Sequence, residues 1–284
     1  MRKGSVFVII SILVGLNVLA WVAVYEISQP RHLEVVFFDV GQGDAIFIVT
    51  PKGHQILIDG GPDSVVLEKL AAEMPFWDRT IDLIILSHPH ADHLKGLIDV
   101  LERYKVENIL WTGVNYDSQL YREWQRVIEG EGAEIHIAQS GQKIISSNVI
   151  LEILYPLESF EGKEVRNLDN TSVSAKLVFK ESTFLFTGDA HREVELILIE
   201  EFEERLKSDV LKAGHHGSKT SSVQEFVEQV LPEIAVISAG KDNRYGHPHQ
   251  EALDTFANCD INVLRTDQVG DIRIISDGKN LKIK

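Results

Sequence analysis

Leu86-Ser87-His88-Pro89-His90-Ala91-Asp92-His93 holds three histidines and one aspartate within six residues. It follows the apolar run Ile81 to Leu86, whose Ile and Leu content reads as a buried strand. The cluster then occupies the loop at that strand's C-terminal end, ahead of a helix predicted from Leu94. Imidazole and carboxylate groups are the usual nitrogen and oxygen ligands of zinc and related divalent ions. A tight loop aims His88 and His90 at one point, and Asp92 and His93 at a second a few ångströms away, as a two-metal site requires. A loop that is His-rich by chance is the competing reading. Two further His/Asp clusters at strand ends argue against it.

Outward from that loop, strands and helices alternate. Leu33 to Phe38 and Ala45 to Val49 read as strands, joined by the turn Asp39-Val40-Gly41-Gln42-Gly43-Asp44, whose glycines tolerate positive φ. Gln55 to Ile58 is a third strand and ends in Asp59-Gly60-Gly61. Helical spacing covers Ser64 to Met74, Leu94 to Tyr104, Ser118 to Glu129, Val194 to Leu206, Val223 to Val230 and Gln250 to Ala257. Further strands are predicted over Ile109 to Trp111, Glu134 to Ile137, Val149 to Leu154, Val173 to Phe179, Thr183 to Phe186, Val210 to Ala213 and Ile234 to Ile237. The last lie near Val263 and over Ile272 to Ile275. This order predicts an α/β (α+β) fold of two packed sheets with helices outside. No repeat or composition break divides the globular part.

The 284 residues are 44% hydrophobic and 25% charged, which suits one large domain with a sizeable core. A net charge of -15 and a pI near 5.2 exclude a basic nucleic-acid-binding surface as a global property. A local positive patch is still allowed, and bound metal ions offset negative charge within a site. The single cysteine, Cys259, excludes an intrachain disulfide and does not fix the redox compartment.

At the N-terminus, Arg2 and Lys3 precede an uncharged apolar run from Gly4 to Tyr25. Such a run is long enough to span a bilayer as a helix. Basic residues ahead of it favour a cytoplasmic N-terminus with the globular part on the far side. A cleaved signal peptide is the rival, with Val18-Leu19-Ala20 as its small-residue site, although the apolar run continues past that site. A buried core helix is a third reading. The chain is thus expected to divide into residues 1–28, a membrane anchor or signal segment, and residues 29–284, the globular domain. The polar stretch Glu26 to His32, with Pro30, links them. The expected protein is membrane-anchored with its catalytic domain outside the cytoplasm, or alternatively secreted.

The remaining candidates also fall at strand ends, where a rigid sheet holds functional loops. Asp189 closes Thr187-Gly188-Asp189 after an apolar strand, a place from which a carboxylate bridges two metals. His215 and His216 lie between glycines in Gly214-His215-His216-Gly217-Ser218. One is read as a ligand, the other as an acid or substrate contact. In Arg244-Tyr245-Gly246-His247-Pro248-His249, His247 is the functional candidate. Pro248 suits the first turn of the next helix and leaves His249 a surface residue. Asp59 is expected to hold the second ring nitrogen of a metal-bound histidine, or else to be a plain turn residue. Lys212 is a contact for an anionic substrate, or a solvated lysine. His32, His54, His136 and His191 stand alone and read as structural or solvated.

Taken together, these residues resemble the metallo-β-lactamase superfamily of hydrolases: His88-Pro89-His90-Ala91-Asp92-His93 matches its HxHxDH signature. The stretches Phe38 to Ala45, Leu211 to Ser218 and Tyr245 to His249 resemble the extracytoplasmic hydrolase domain of the ComEC-type competence proteins. The resemblance runs from about Leu33 to the C-terminus. It implies a four-layer αββα sandwich with the metal site at one edge and two divalent metal ions, zinc or manganese. His88, His90, Asp92, His93, Asp189 and His215 are the expected ligands, with Asp92, His216 and His247 in catalysis and Ser218 beside Lys212 as a substrate contact. The superfamily usually has a third metal-binding histidine just before the strand at Val173 to Phe179. Here Asn167-Leu168-Asp169-Asn170-Thr171-Ser172 contains none, and Asn170 is expected in its place as a weaker oxygen ligand, or the position is left to water with Asn170 facing substrate. Competence proteins also carry a multispanning channel region. With one apolar segment, this chain is not expected to transport DNA alone, and a separate channel protein is the implied partner.

The expected activity is that of a metal-dependent hydrolase, a phosphodiesterase or nuclease acting on DNA in a competence-like role. The ligand set carries the hydrolase reading, and the resemblance carries the nuclease reading. A choline phosphodiester of the cell wall or a small ester is the alternative substrate. From another class, the rival is a catalytically silent binding module that keeps the fold.

Overall fold

The computed structural model of the protein describes residues 3–28 and 32–284, which fall into two compact units, Met1–Arg31 and His32–Lys284. In the first, Lys3–Ser28 form the 26-residue helix α1, about 39 Å long at 1.5 Å per residue. Its described apolar side chains are exposed, Phe7 at 71%, Leu19 at 66% and Trp21 at 68%. Arg2, Pro30 and side chains at both ends of α1 lie outside the described residues. Over what is described, no helix is long and apolar enough to cross a membrane.

The second unit opens with β1 (Leu33–Phe37), β2 (Ile46–Val49), β3 (Gln55–Ile58), α2 (Val65–Glu73), β4 (Thr80–Ile85), α3 (Ala91–Leu101), β5 (Lys105–Trp111), α4 (Gln119–Glu131) and β6 (Glu134–Ile137). It continues with β7 (Lys143–Ser146), β8 (Val149–Tyr155), β9 (Ser174–Phe179), β10 (Ser182–Phe186), α5 (Arg192–Phe202), β11 (Val210–Lys212), α6 (Gln224–Val230) and β12 (Ile234–Ile237). It closes with α7 (Gln250–Asn258), β13 (Asn262–Arg265), α8 (Thr266–Val269), β14 (Ile272–Ser276) and β15 (Leu281–Ile283). One sheet has eight strands in the order β15-β14-β1-β2-β3-β4-β5-β6, the other seven in the order β13-β12-β11-β10-β9-β8-β7. β3 to β6 run parallel, as do β10 to β13. Parallel strands joined by helices are covered on both faces, which is why they read as continuous apolar runs.

The side chains of β1 show the layering. Leu33, Val35 and Phe37 belong to the core between the sheets, where Phe37 meets Phe186 of β10 at 6.3 Å between ring centres. Val36 and Phe38 face the other way, onto a core built with Leu70 of α2, Leu97 of α3 and Trp124 of α4. A third core, with Leu198 of α5, Phe226 of α6 and Phe256 of α7, backs the seven-stranded sheet. Helix, sheet, sheet and helix thus stack in that order. Each large apolar side chain so buried stabilises the fold by about 1.5–3 kcal/mol.

The observed elements differ from the predicted ones at a few points. α3 begins at Ala91 rather than Leu94, because His90 takes an extended N-cap conformation and Asp92 places its carboxylate in the first turn, at the positive end of the helix dipole. Asp92 and His93 therefore sit on a helix. β5 begins at Lys105, its exposed Lys105 and Glu107 alternating with the buried Val106. β7 and β15 are short edge strands with exposed residues that hide their pattern. α5 stops at Phe202, because Glu203 has φ +45° and starts a 3-10 turn, Glu203–Leu206.

Candidate metal centre

The chain segments that follow β3, β4, β10, β11 and β12 meet at one edge of the two sheets. Asp59 follows β3, the histidine cluster follows β4, Asp189 follows β10, and His215 and His216 follow β11. Asp169 lies in a 3-10 turn, Asp169–Thr171, just before β9. Asp59, His215 and His216 all have positive φ, at 59°, 47° and 55°. For non-glycine residues this costs about 1–3 kcal/mol each and persists where the surroundings fix it, often at functional sites. Gly60 and Gly96 let α3 lie directly on the backbone after β3: a Cβ on Gly96 would collide with the Gly60 carbonyl oxygen. The first turn of α3, with Asp92 and His93, is held over the end of β3 in this way.

Asp189 is the hub. Its Oδ2 lies 3.2 Å from His216 Nε2, 3.3 Å from His93 Nε2, 3.8 Å from His215 Nε2 and 4.0 Å from His88 Nε2. Asp92 Oδ2 is 3.4 Å from His216 Nε2. Asp169 forms a second focus, with Oδ1 2.9 Å from His90 Nδ1 and 3.5 Å from His88 Nε2, and Oδ2 3.1 Å from His191 Nε2. His191 Nε2 is also 3.1 Å from His215 Nδ1.

Outer groups fix the rings. His93 Nδ1 donates to Asp59 Oδ2 at 2.8 Å, and Asp59 also accepts from the amide and hydroxyl of Ser87 at 2.7 and 2.6 Å. His216 Nδ1 donates to the Ser238 carbonyl at 3.0 Å and lies 3.3 Å from Asp44 Oδ1. In both rings Nε2 is thereby left facing the cluster, the usual support of a ligating histidine.

Buried atoms at this edge without a hydrogen-bond partner include His93 Nε2, His216 Nε2 and Asp189 Oδ1. Each orphan of this kind costs about 1–3 kcal/mol, so several at one place call for a missing partner. Ligand atoms lie within 4.8 Å of one another in Asp92, His93, Asp189 and His216, and again in His88, His90 and Asp169; a further group, Asp169, His191 and His215, shares Asp169. Mixed imidazole and carboxylate donors suit divalent ions such as zinc or manganese. The residues fit such ions.

The electrostatics agree. Burial alone would raise Asp189, yet the imidazoles of His216 and His93 hold its carboxyl well below the usual range. Asp92 and Asp169 are held low against burial in the same way, by His216 and by His191 with His90. Burial would lower His93 and His216, but Asp189, together with Asp59 or Asp44, raises both well above 6.5. The carboxylates thus favour positive charge here, as a cation site does. Burial and the neighbouring His93 push His88 down to about 3, which keeps its lone pair free, as a ligand requires.

Two of the substrate candidates, Lys212 and Ser218, lie below the surface, and the third, Asn170, faces away from the cluster. Lys212 is fully buried; its ammonium is 2.8 Å from Asp44 Oδ2 and donates to the Ala213 carbonyl. Its ammonium faces Asp44 and does not line the cleft over the cluster. Ser218 is 3% exposed and accepts from Thr220. Asn170 Oδ1 accepts from the His191 amide at 3.1 Å, and its amide nitrogen lies 3.4 Å from Glu193. Successive side chains of a 3-10 turn point about a third of a turn apart, so Asp169 faces the cluster where Asn170 was expected. His191, read as solitary, joins it, and Asp44 supports His216. His247 lines a cleft of about 380 Å³ over the cluster, with Gln42, Tyr116 and Tyr245. A slightly larger cavity, about 440 Å³, lies between β3–β6 and β7 and has no metal-binding grouping among the described residues.

Residues 54–211, more than half of the chain, match the Beta-lactamase superfamily domain. ComE operon protein 3 of Bacillus subtilis is 31% identical over 257 residues, 84% of this chain and 32% of that protein. Competence protein ComA of Neisseria gonorrhoeae is 30% identical over 248 residues, 86% of this chain and 32% of that protein. The chain thus spans about a third of the length of these curated relatives. The crystal structure of the metallo-beta-lactamase fold protein YhfI from Bacillus subtilis superposes with a TM-score of 0.55 at 12% identity, over 89% of this chain and 100% of that one; at that identity the likeness shows the fold. With a family match over more than half its length and the same two-sheet sandwich, the chain belongs to the beta-lactamase superfamily.

Proposed function

We propose that this chain is a metal-dependent phosphodiesterase, a nuclease acting on DNA in a competence-like role, with its catalytic domain outside the cytoplasm and α1 as a membrane anchor. The observation that carries the reading is the Asp189 carboxylate, with one oxygen within 4.0 Å of four imidazole nitrogens and the other without a partner. His88, His90 and Asp169, and Asp92, His93, Asp189 and His216, would hold divalent ions, which when bound would supply Lewis-acid polarisation of a phosphoryl oxygen and lower the pKa of water toward neutral.

The chain's own groups orient the ligands and donate hydrogen bonds. Asp59 and the Ser238 carbonyl fix His93 and His216 with Nε2 toward the cluster. Gln42 Nε2 is 3.4 Å from His247 Nδ1, which assigns the ring proton to Nε2, in the cleft. Burial and the nearby His216 and His215 lower His247 to about 4, so a neutral ring donates from Nε2 to an anionic oxygen at pH 7. The names of the relatives support DNA as substrate. The uncharged apolar run from Gly4 to Tyr25, behind Arg2 and Lys3, and the exposed apolar side chains of α1 support the anchor.

The test is hydrolysis of bis-p-nitrophenyl phosphate and single-stranded DNA by the full chain, chelated and then resupplied with zinc or manganese. Activity on both that depends on the metal, and is lost in His88→Ala and Asp189→Asn, is expected. Activity indifferent to chelation would refute the hydrolase reading. Cleavage of a choline phosphodiester but not of DNA would refute the substrate.

A further inference from the structure

Among the described residues, the two most exposed large hydrophobic side chains are neighbours. Phe76 is 80% and Trp77 73% exposed, and their rings meet edge to face at 4.8 Å. Their turn is braced. The Asp78 amide donates to the Pro75 carbonyl, Asp78 accepts from Gln55 Nε2 at 2.8 Å, and the Arg79 carbonyl accepts from the Lys105 amide at 2.8 Å. The aromatic pair is therefore held out from the surface on an anchored turn.

The topology says which end this is. β4 begins at Thr80 beside the pair and ends next to His88, so the pair lies at the end of the sandwich opposite the metal centre. β1 runs the same way. Glu34 pairs with Val49 at the far end, and Phe37 leads into the turn that carries Gln42 and Asp44. The chain therefore enters the domain at Leu33 on the same end as Phe76 and Trp77. Only residues 29–32 lie between α1 and β1, under about 20 Å of fully extended chain. Arg103 and Lys105 are exposed beside the turn together with Glu102 and Glu107, and the Arg79 guanidinium lies 5.4 Å over the Tyr104 ring.

From this placement we infer that residues 75–79 rest in the headgroup region of the lipid bilayer, with Phe76 and Trp77 as interfacial wedges. The inference rests on reading α1 as an anchor, and it goes further by giving the domain an orientation. Tryptophan and phenylalanine favour the membrane–water interface. β4 has six residues, about 20 Å at 3.3 Å per residue, and it separates the metal centre from the headgroup end of the domain, leaving the centre open to water. Its substrate is then a water-borne molecule and not a bilayer lipid.

The experiment uses the full chain in phosphatidylcholine/phosphatidylglycerol vesicles. Trp111 and Trp124 are buried and form a background, measured in a Trp21→Phe/Trp77→Phe protein. Trp21→Phe then reports Trp77, and Trp77→Phe reports Trp21, each by quenching with brominated lipid and with aqueous iodide. Loss of the emission of both residues with brominated lipid, and protection of Trp77 from iodide, is expected. Trp21 quenched by lipid with Trp77 open to iodide would overturn the inference and leave the anchor standing, and Trp77 protected from both quenchers would indicate a protein partner and also overturn it. No lipid quenching of either residue would overturn both readings.

Discussion

Replacing Asp59 by asparagine changes one atom and tests how the centre is held. The carboxylate accepts three hydrogen bonds, from the Ser87 amide, the Ser87 hydroxyl and His93 Nδ1. The Ser87 amide is a fixed donor, so the asparagine oxygen stays with it and the new NH2 faces His93. That NH2 donates to Nδ1 only if the ring proton moves to Nε2, the atom that faces Asp189 at 3.3 Å. A protonated Nε2 does not bind metal. Keeping the original tautomer sets two donors against each other in a buried site, at a cost of about 1–3 kcal/mol. By either route the variant should lose about 10–100-fold in metal affinity. The fold should lose little, because burial already raises the Asp59 carboxyl and makes its charged form unfavourable. Competition between protein and a chelator for zinc measures the affinity, and long-range nitrogen NMR reads the His93 tautomer. Unchanged affinity would refute the reasoning, whichever tautomer His93 keeps.

Three other outcomes follow from the same geometry. Asp169→His should tighten zinc binding and shift preference from manganese toward zinc, while Asn170→His leaves both unchanged; calorimetry with each metal separates the positions. Lys212→Met leaves Asp44 buried without its ammonium partner and should destabilise the protein by about 3–5 kcal/mol, read by denaturant unfolding. Glu195, in α5, is buried and accepts from the amides of Ser222 and Val223; burial, against those two bonds, raises it from 4.5 to about 7. Its folded pKa lies above the unfolded one, so wild type is penalised as pH rises from 4.5 through 7. Relative to Glu195→Gln it should lose up to about 3 kcal/mol between pH 5 and pH 8, measured by unfolding at each pH.

Much of this was legible in the chain, and the reasons are local. The run into His88 declares a strand and its loop together, since the ligands follow one another directly where the strand stops. Asp189 and the His215–His216 pair show the same signature. Asp169 was hidden because it stands alone in a polar stretch, where a missing histidine drew attention to Asn170; only the turn geometry separates the two neighbours. His191 looked solitary, although it lies two residues past Asp189. Lys212 reads as a substrate contact or a solvated lysine because its partner, Asp44, comes from the turn after β1 and reaches it across the two sheets. Contacts of that kind depend on how the sheets pack, which no local pattern encodes.

The central claim is that the edge cluster holds two divalent ions. Anomalous X-ray scattering from crystals of the protein grown with zinc or manganese, collected at the metal's absorption edge, tests this most directly. The account predicts two peaks, one bounded by His88, His90 and Asp169 and the other by Asp92, His93, Asp189 and His216. Crystals with the metal in their solution and no peak at either position would contradict it.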